Sequence, residues 1–424
     1  MAAEIFMLIG AIIFLGFAAQ ALFQRTKVPD VLLLMAFGIL IGPLNLVGTL
    51  TGGATAINTE LFAGFAPIVG AIALIIILFE GGFNLDIFRA FTELSTATWF
   101  ATLTFALTAA LTAAVLLPFG WPPLHGLLLG VVIGGTSSAT VISLLSKSSA
   151  SEETKTLLSL ESALTDALCV ISAVVTIELI RAADVSLNST ATLLFGQFSI
   201  AAVIAVAVSV AWIKLLQRFK EIPFSYMLSI AVIFLMYGFV ESVGGNGTVS
   251  VLIFGLLLGN WNHLTKRFNL GDEIVAFEKT FRSFQAEVTF FVRTFFFVYI
   301  GMVFDISALA GSTAALLPIA AVLAVLGIAR LAGTRALLFF NSQLSGDRRL
   351  IFSMMPRDLA AAVLATLPQS RGIGIPMISE IVFLTILLTN IATAFGFYES
   401  ERGAASVAGE AGDSGKKPRI LKQS

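Results

Sequence analysis

Residues 37–43 read FGILIGP, and 217 positions later residues 254–260 read FGLLLGN. GFNLDI at 82–87 returns loosely as GMVFDI at 301–306, an offset of 219. At a similar spacing GGTSSATVI (134–142) faces MPRDLAAAV (355–363), and each interrupts an apolar helix with Gly or Pro and polar residues. One match of this kind is weak, because Gly-spaced apolar strings are common where membrane helices pack. Common order and a common offset make the three a repeat.

The surrounding composition sets the solvent. Of 424 residues 57% are hydrophobic and 12% charged, whereas a water-soluble domain carries about 25% charged residues. Apolar runs of about 20 residues, each long enough to cross a bilayer as a helix, recur from end to end. Punctuation at Pro, Gly and charge clusters gives about thirteen spans, the first over 4–24 and the last over 375–397. The fold class is therefore an all-α polytopic membrane protein. One set of alternate loops holds Arg25, Lys27, Lys147, Lys155, Arg218, Lys220, Arg348 and many more basic residues, and the other only Arg181 and Arg371. Basic residues stay on the cytoplasmic side, so the N-terminus is expected outside and the C-terminus in the cytoplasm of a cell membrane.

With that orientation the helix ending in FGILIGP runs outward and the one ending in FGLLLGN runs inward. The other two pairs oppose in the same way. Two inverted-topology repeats, with interrupted helices meeting near the midplane, are the plan of a secondary transporter. We expect repeats over about 1–180 and 224–398, a linker helix over about 191–217, and a disordered cytoplasmic tail over 399–424 after the 1–398 membrane domain.

Other classes are poorly served. The single Cys169 excludes a disulfide framework or cysteine-metal cluster, and a net charge of −1 points to no nucleic acid. His125 and His263 fall near helix ends, away from any zinc site. No HExxH or G-x-S-x-G context supports an enzyme, and no cofactor is implied. A channel needs a filter loop, and none is apparent.

The polar residues inside the spans carry the chemistry. Intramembrane acids are rare and functional by default, and Glu161 and Asp166 both fall in the run LSLESALTDALCVISAVVTIELI (158–180). Ser162 is four residues before Asp166 and on its face, while Glu161 and Thr165 make a neighbouring pair about 100° round the helix. A carboxylate, a hydroxyl and carbonyls freed at a helix break suit Na⁺, and the same carboxylate can carry a proton. If Asp166 holds one or the other, a single residue enforces exchange. The plain alternative is a buried acid paired with arginine. For Glu161 we prefer that alternative, with Arg357 as partner; Arg330 either joins that region or snorkels to the interface. Glu80 either faces water or adds an oxygen to the cavity. Thr136, Ser137, Ser138 and Thr140 are either packing hydroxyls or an unwound segment offering backbone oxygens.

With VPDVLLLMAFGILIGP, LFEGGFNLD, GGTSSATVI, ESALTDA, VRTFFFVYIGMVFD and MMPRDLAAAVLA in this order, residues 4–398 resemble the monovalent cation:proton antiporters, in particular their NhaP-like sodium/proton branch. The resemblance implies a homodimer, with a dimerisation domain and a core domain of crossing interrupted helices. It implies a cation site of Asp166, Ser162, Glu80 and a backbone oxygen at Thr136, with Ser137 and Thr165 beside it. It also implies a structural pair of Glu161 with Arg357, and Arg330 nearby. The chain departs from the family at Thr165, commonly Asn, and at Thr136-Ser137-Ser138, commonly Thr-Asp-Pro. The function expected is electroneutral 1:1 Na⁺/H⁺ exchange by alternating access. The alternatives are K⁺/H⁺ exchange on the same fold or a sodium-coupled symporter of an organic anion.

Overall fold

The computed structural model of the protein describes residues 2–44, 59–85, 96–181, 187–218, 225–268, 275–304 and 313–413. Asp305, the ends of the two GF/GM motifs (86–87 and 305–306) and residues 414–424 lie outside them. Among the described residues there is helix and no strand. In order these are α1 (Ala2–Thr26), α2 (Asp30–Ile41), α3 (Thr59–Asn84), α4 (Thr96–Leu116), α5 (Pro123–Val132), α6 (Ser138–Leu145), α7 (Glu152–Arg181) and α8 (Leu187–Arg218). There follow α9 (Ser225–Ser242), α10 (Gly247–Gly259), the short α11 (Trp261–Phe268), α12 (Val275–Val303), α13 (Thr313–Phe340), α14 (Arg348–Ser353), α15 (Leu359–Ser370) and α16 (Ile378–Asp413). Seven of the described helices are long and apolar enough to cross a membrane, and shorter apolar helices accompany them. The protein is a multi-pass membrane protein.

α5/α6 and α14/α15 are two spans, each broken in the middle. Gly134 and Gly135 end helical order in the first, and Pro356, which lacks a donor N–H, does so in the second. Ser137 caps α6, its hydroxyl accepting the Thr140 N–H at 3.2 Å. The breaks meet: the Ser137 N–H donates to the Pro356 carbonyl at 2.8 Å, and the Arg357 Nε–H donates to the Ile133 carbonyl. Asn390 Nδ2 donates to the Arg357 carbonyl at 2.7 Å, and the Arg357 N–H donates to Thr389 Oγ1 at 3.3 Å. Backbone groups freed by the interruptions thus find partners within protein, the condition for irregular chain at membrane depth.

The repeat is written into the packing. A Cβ on Gly38 would strike the Val298 carbonyl of α12, and one on Gly255 would strike the Phe79 carbonyl of α3. Gly42 meets Met302 as Gly259 meets Phe83, and Gly82 meets Leu252 as Gly301 meets Met35. These contacts exchange α2 with α10 and α3 with α12, at the offsets of the sequence motifs. Only glycine allows backbones this close.

The tail differs from expectation. α16 continues to Asp413, so residues 399–413 are helical where disorder was expected. Their alanines and charged residues are good helix formers. Glu401 is also anchored, accepting from Ser148 Oγ and the Ser149 N–H at 3.1 and 3.0 Å.

Candidate cation and proton site

Asp166 projects from α7 toward the start of α6. Ser138 Oγ donates to its Oδ2 at 2.6 Å, and the Ser138 N–H approaches the same oxygen at 3.4 Å. Both donors are at the first turn of α6, where free N–H groups and the helix dipole favour negative charge. Among the described residues no basic side chain is ion-paired with Asp166.

Ser162 is elsewhere. It is fully buried, and its hydroxyl donates to the Ser159 carbonyl one turn back at 3.0 Å. Helical spacing places Ser162 and Asp166 on one face, but a serine inside a helix can satisfy itself on its own backbone. The hydroxyl on Asp166 is therefore that of Ser138.

Thr136 and Thr165 join the break to α7. The Thr136 N–H donates to Thr165 Oγ1 at 3.1 Å, and Thr136 Oγ1 donates to Glu161 Oε1 at 3.2 Å. Thr165 donates in turn to the Ser162 carbonyl at 3.2 Å. Glu161, 1% exposed, is ion-paired with Arg330 of α13 at 2.9 Å. The expected Glu161–Arg357 pair is not made. Arg357 spends its guanidinium on the carbonyls of Ile133 and Met355 at the crossing, because the interruption leaves those oxygens in need of donors. Nor does Arg330 reach for the interface: 4% exposed, it also donates to the Ile351 carbonyl at 3.0 Å and stacks 4.9 Å from the Phe100 ring.

A second polar group reaches across the crossing. Ser137 Oγ donates to Asp358 Oδ2 at 2.7 Å. Asp358 Oδ1 is 3.3 Å from Arg293 Nε, and Arg293 Nη2 donates to Asp30 Oδ1 at 2.8 Å. Glu80 is not open to water alone: Thr289 of α12 donates to its Oε2 at 2.8 Å. Ser138, Thr289 and the Asp30–Arg293–Asp358 chain are the parts of this region that sequence reasoning did not assign. Only the four hydroxyls within residues 136–140 signalled the first of them.

A family model described as "Sodium/hydrogen exchanger, transmembrane" matches residues 9–397. A K⁺/H⁺ antiporter NhaP2 of Shewanella sp. (strain MR-4) is 30% identical over 265 residues, covering 60% of this chain and 44% of the relative. Sodium/hydrogen exchanger 8 of Arabidopsis thaliana is 25% identical over 314 residues, covering 72% and 40%. The chain thus spans less than half the length of these curated relatives. The solved sodium proton antiporter MjNhaP1 of Methanocaldococcus jannaschii at pH 8 is similar with TM-score 0.69 and 21% identity, covering 96% of this chain and 98% of that one. At that identity the likeness is one of fold: two inverted repeats with crossing interrupted helices.

Proposed function

The chain belongs to the transmembrane sodium/hydrogen exchanger family, and from that premise we propose that it is a secondary active antiporter exchanging Na⁺ for H⁺. The observation that carries the proposal is the state of Asp166. It is a membrane-embedded carboxylate with hydroxyl and N–H donors but no ion-pair partner among the described residues, whereas Glu161 beside it is paired. An unpaired intramembrane acid is free to take either a proton or a cation. Competition for one negative charge gives 1:1 exchange, and a net electroneutral one.

Na⁺ would take oxygens from Asp166 and from the backbone of the break, with the Thr136 carbonyl as the ligand that the family resemblance implies. The alternating step carries Asp166 from one side of the bilayer to the other as either the protonated or the cation-bound acid. Charge-neutral forms cross at least cost, since an uncompensated carboxylate in low dielectric is expensive. K⁺ is the second reading, favoured by the K⁺/H⁺ activity for which the Shewanella relative is named. The remaining readings are an external N-terminus, a cytoplasmic C-terminus and a homodimer in the cell membrane. Purified protein in liposomes, with an internal pH dye and Na⁺, K⁺ or Li⁺ added in turn, tests exchange directly. Proton movement driven by a cation gradient supports the proposal; flux of an organic anion with Na⁺ and no proton movement contradicts it.

A further inference from the structure

Among the described residues, the glycines that let helices approach closer than a Cβ would permit fall into two groups. In one, Gly16 of α1 meets Thr294, Gly38 of α2 meets Val298, Gly255 of α10 meets Phe79, and Gly247 meets Tyr237 of α9. In the other, Gly130 of α5 meets Ala109, Gly135 meets Cys169 of α7, Gly333 of α13 meets Thr104, and Gly396 of α16 meets Ser353. No such interlock joins the first group to the second. Where Gly70 faces Thr366 across the boundary, the space left is an ordinary 3.8 Å contact. Two bodies, each interlocked within itself, therefore meet along a boundary that no glycine interlock crosses.

α15 belongs to the second body and is held to the first at both ends. Asp358 at its N-cap faces Arg293. Arg371 at its C-cap, about 20 Å away by helical rise, forks onto Glu241 of α9, with Nη2–Oε1 at 2.8 Å and Nη1–Oε2 at 3.3 Å. Glu241 is itself fixed to its own body by accepting the Gly247 N–H of α10 at 3.0 Å. Arg371 also suits its place at a helix C-terminus, where a cation is favoured. Under this fork is a cavity of about 760 Å³ lined by α3, α9 and α12 on one side and α15 on the other, with Leu74, Tyr237, Phe296, Tyr299 and Thr366 among its walls. The pair is partly solvated, 19% and 31% exposed, so opening it costs far less than breaking the fully buried Glu161–Arg330 pair. Of the two basic residues expected in the outer loops, Arg181 pairs with Glu178 of its own helix; only Arg371 reaches the other body.

We propose that Arg371 and Glu241 are the gate on the N-terminal face: their fork holds that side shut, and its opening lets the site exchange ions with that compartment. The proposal rests on the exchanger reading above for the direction of traffic, but the gate itself has a separate test. In one arm, Glu241→Cys/Arg371→Cys protein in liposomes is bridged with a reducible bifunctional methanethiosulfonate, the bridge being verified by mass. Bridging should lower cation-driven proton flux at least tenfold, and reductant should restore it. A bridged protein exchanging within twofold of its reduced form overturns the gate. In the other arm, Thr366→Cys reports access to the cavity through the rate of labelling by a membrane-impermeant maleimide. Adding Arg371→Gln should speed labelling at least threefold; an unchanged rate overturns the gate. The labelling arm needs no transport, so absence of exchange by the wild type would count against the exchanger reading and leave this test standing.

Discussion

Ser138 Oγ lies 2.6 Å from Asp166 Oδ2, although the two residues belong to different helices and are 28 positions apart. The hydroxyl comes from the first turn of α6, directly after the break. The interruption of α5/α6 therefore presents hydroxyl and N–H donors to the acid. Ser162, nearer in sequence, turns away to its own helix.

This contrast is testable. A hydrogen bond to a charged group is worth about 1.5–3 kcal/mol, so Ser138→Ala should change the apparent cation affinity about tenfold to a hundredfold. Ser162→Ala should leave it within about twofold, because that hydroxyl serves only a local carbonyl. Initial exchange rates against cation concentration decide between them. A larger effect from Ser162 would make the hydroxyl of α7, not that of α6, the one that serves Asp166.

Sequence resolved the architecture because its signals are local. The lengths of apolar runs marked the spans, Gly134-Gly135 and Pro356 marked the breaks, and the FG motifs marked the repeat. What it got wrong was partner choice: Glu161 was expected to pair with Arg357 and pairs with Arg330. Arg293, Arg330 and Arg357 are all intramembrane cations, and nothing local says which one meets Glu161. The answer depends on where α13 and the crossing lie in space, and on the hunger of the Ile133 carbonyl for a donor. Ser138 was visible only as one of a cluster of hydroxyls. The tail misled because its Gly and Ser content resembles a linker, while helix formers and the Glu401 anchor continue α16.

A double-mutant cycle tests the reassigned pair. Removing one member of a buried ion pair strands the other at a cost of about 3–5 kcal/mol. Glu161→Gln and Arg330→Ala should each lower the melting temperature, and the double variant should lose much less than their sum. Glu161→Gln combined with Arg357→Ala should be closer to additive. Strong coupling to Arg357 and additivity with Arg330 would reverse the assignment.

Repeat symmetry makes its own prediction. Gly38→Ala and Gly255→Ala each place a Cβ against a carbonyl oxygen of the facing helix, and overpacking of this kind costs about 1–3 kcal/mol. The two variants should lose similar stability in thermal unfolding. Gly81→Ala, with open space around its Cβ, should lose none. Unequal losses at Gly38 and Gly255 would show that the two helix pairs are not equivalent.

Asp166→Asn keeps shape and loses charge. It should abolish cation-driven proton flux while leaving the melting temperature near that of wild type, since no ion pair is broken. Retained flux would move the site elsewhere, with Glu80 and its Thr289 donor the next candidate.

The central claim is that one carboxylate serves both ions, and competition at Asp166 has a signature in the pH dependence. At low pH protons displace the cation, and at high pH the return step lacks protons, so exchange should be bell-shaped in pH. Raising the cation concentration should drive protons off the shared acid and move the acid limb to lower pH. The measurement is the initial rate of exchange in liposomes with clamped membrane potential, across pH, at several Na⁺ and K⁺ concentrations. The account predicts an acid limb that shifts steadily with cation and a rate indifferent to the imposed potential. An acid limb that stays fixed as the cation rises would contradict it.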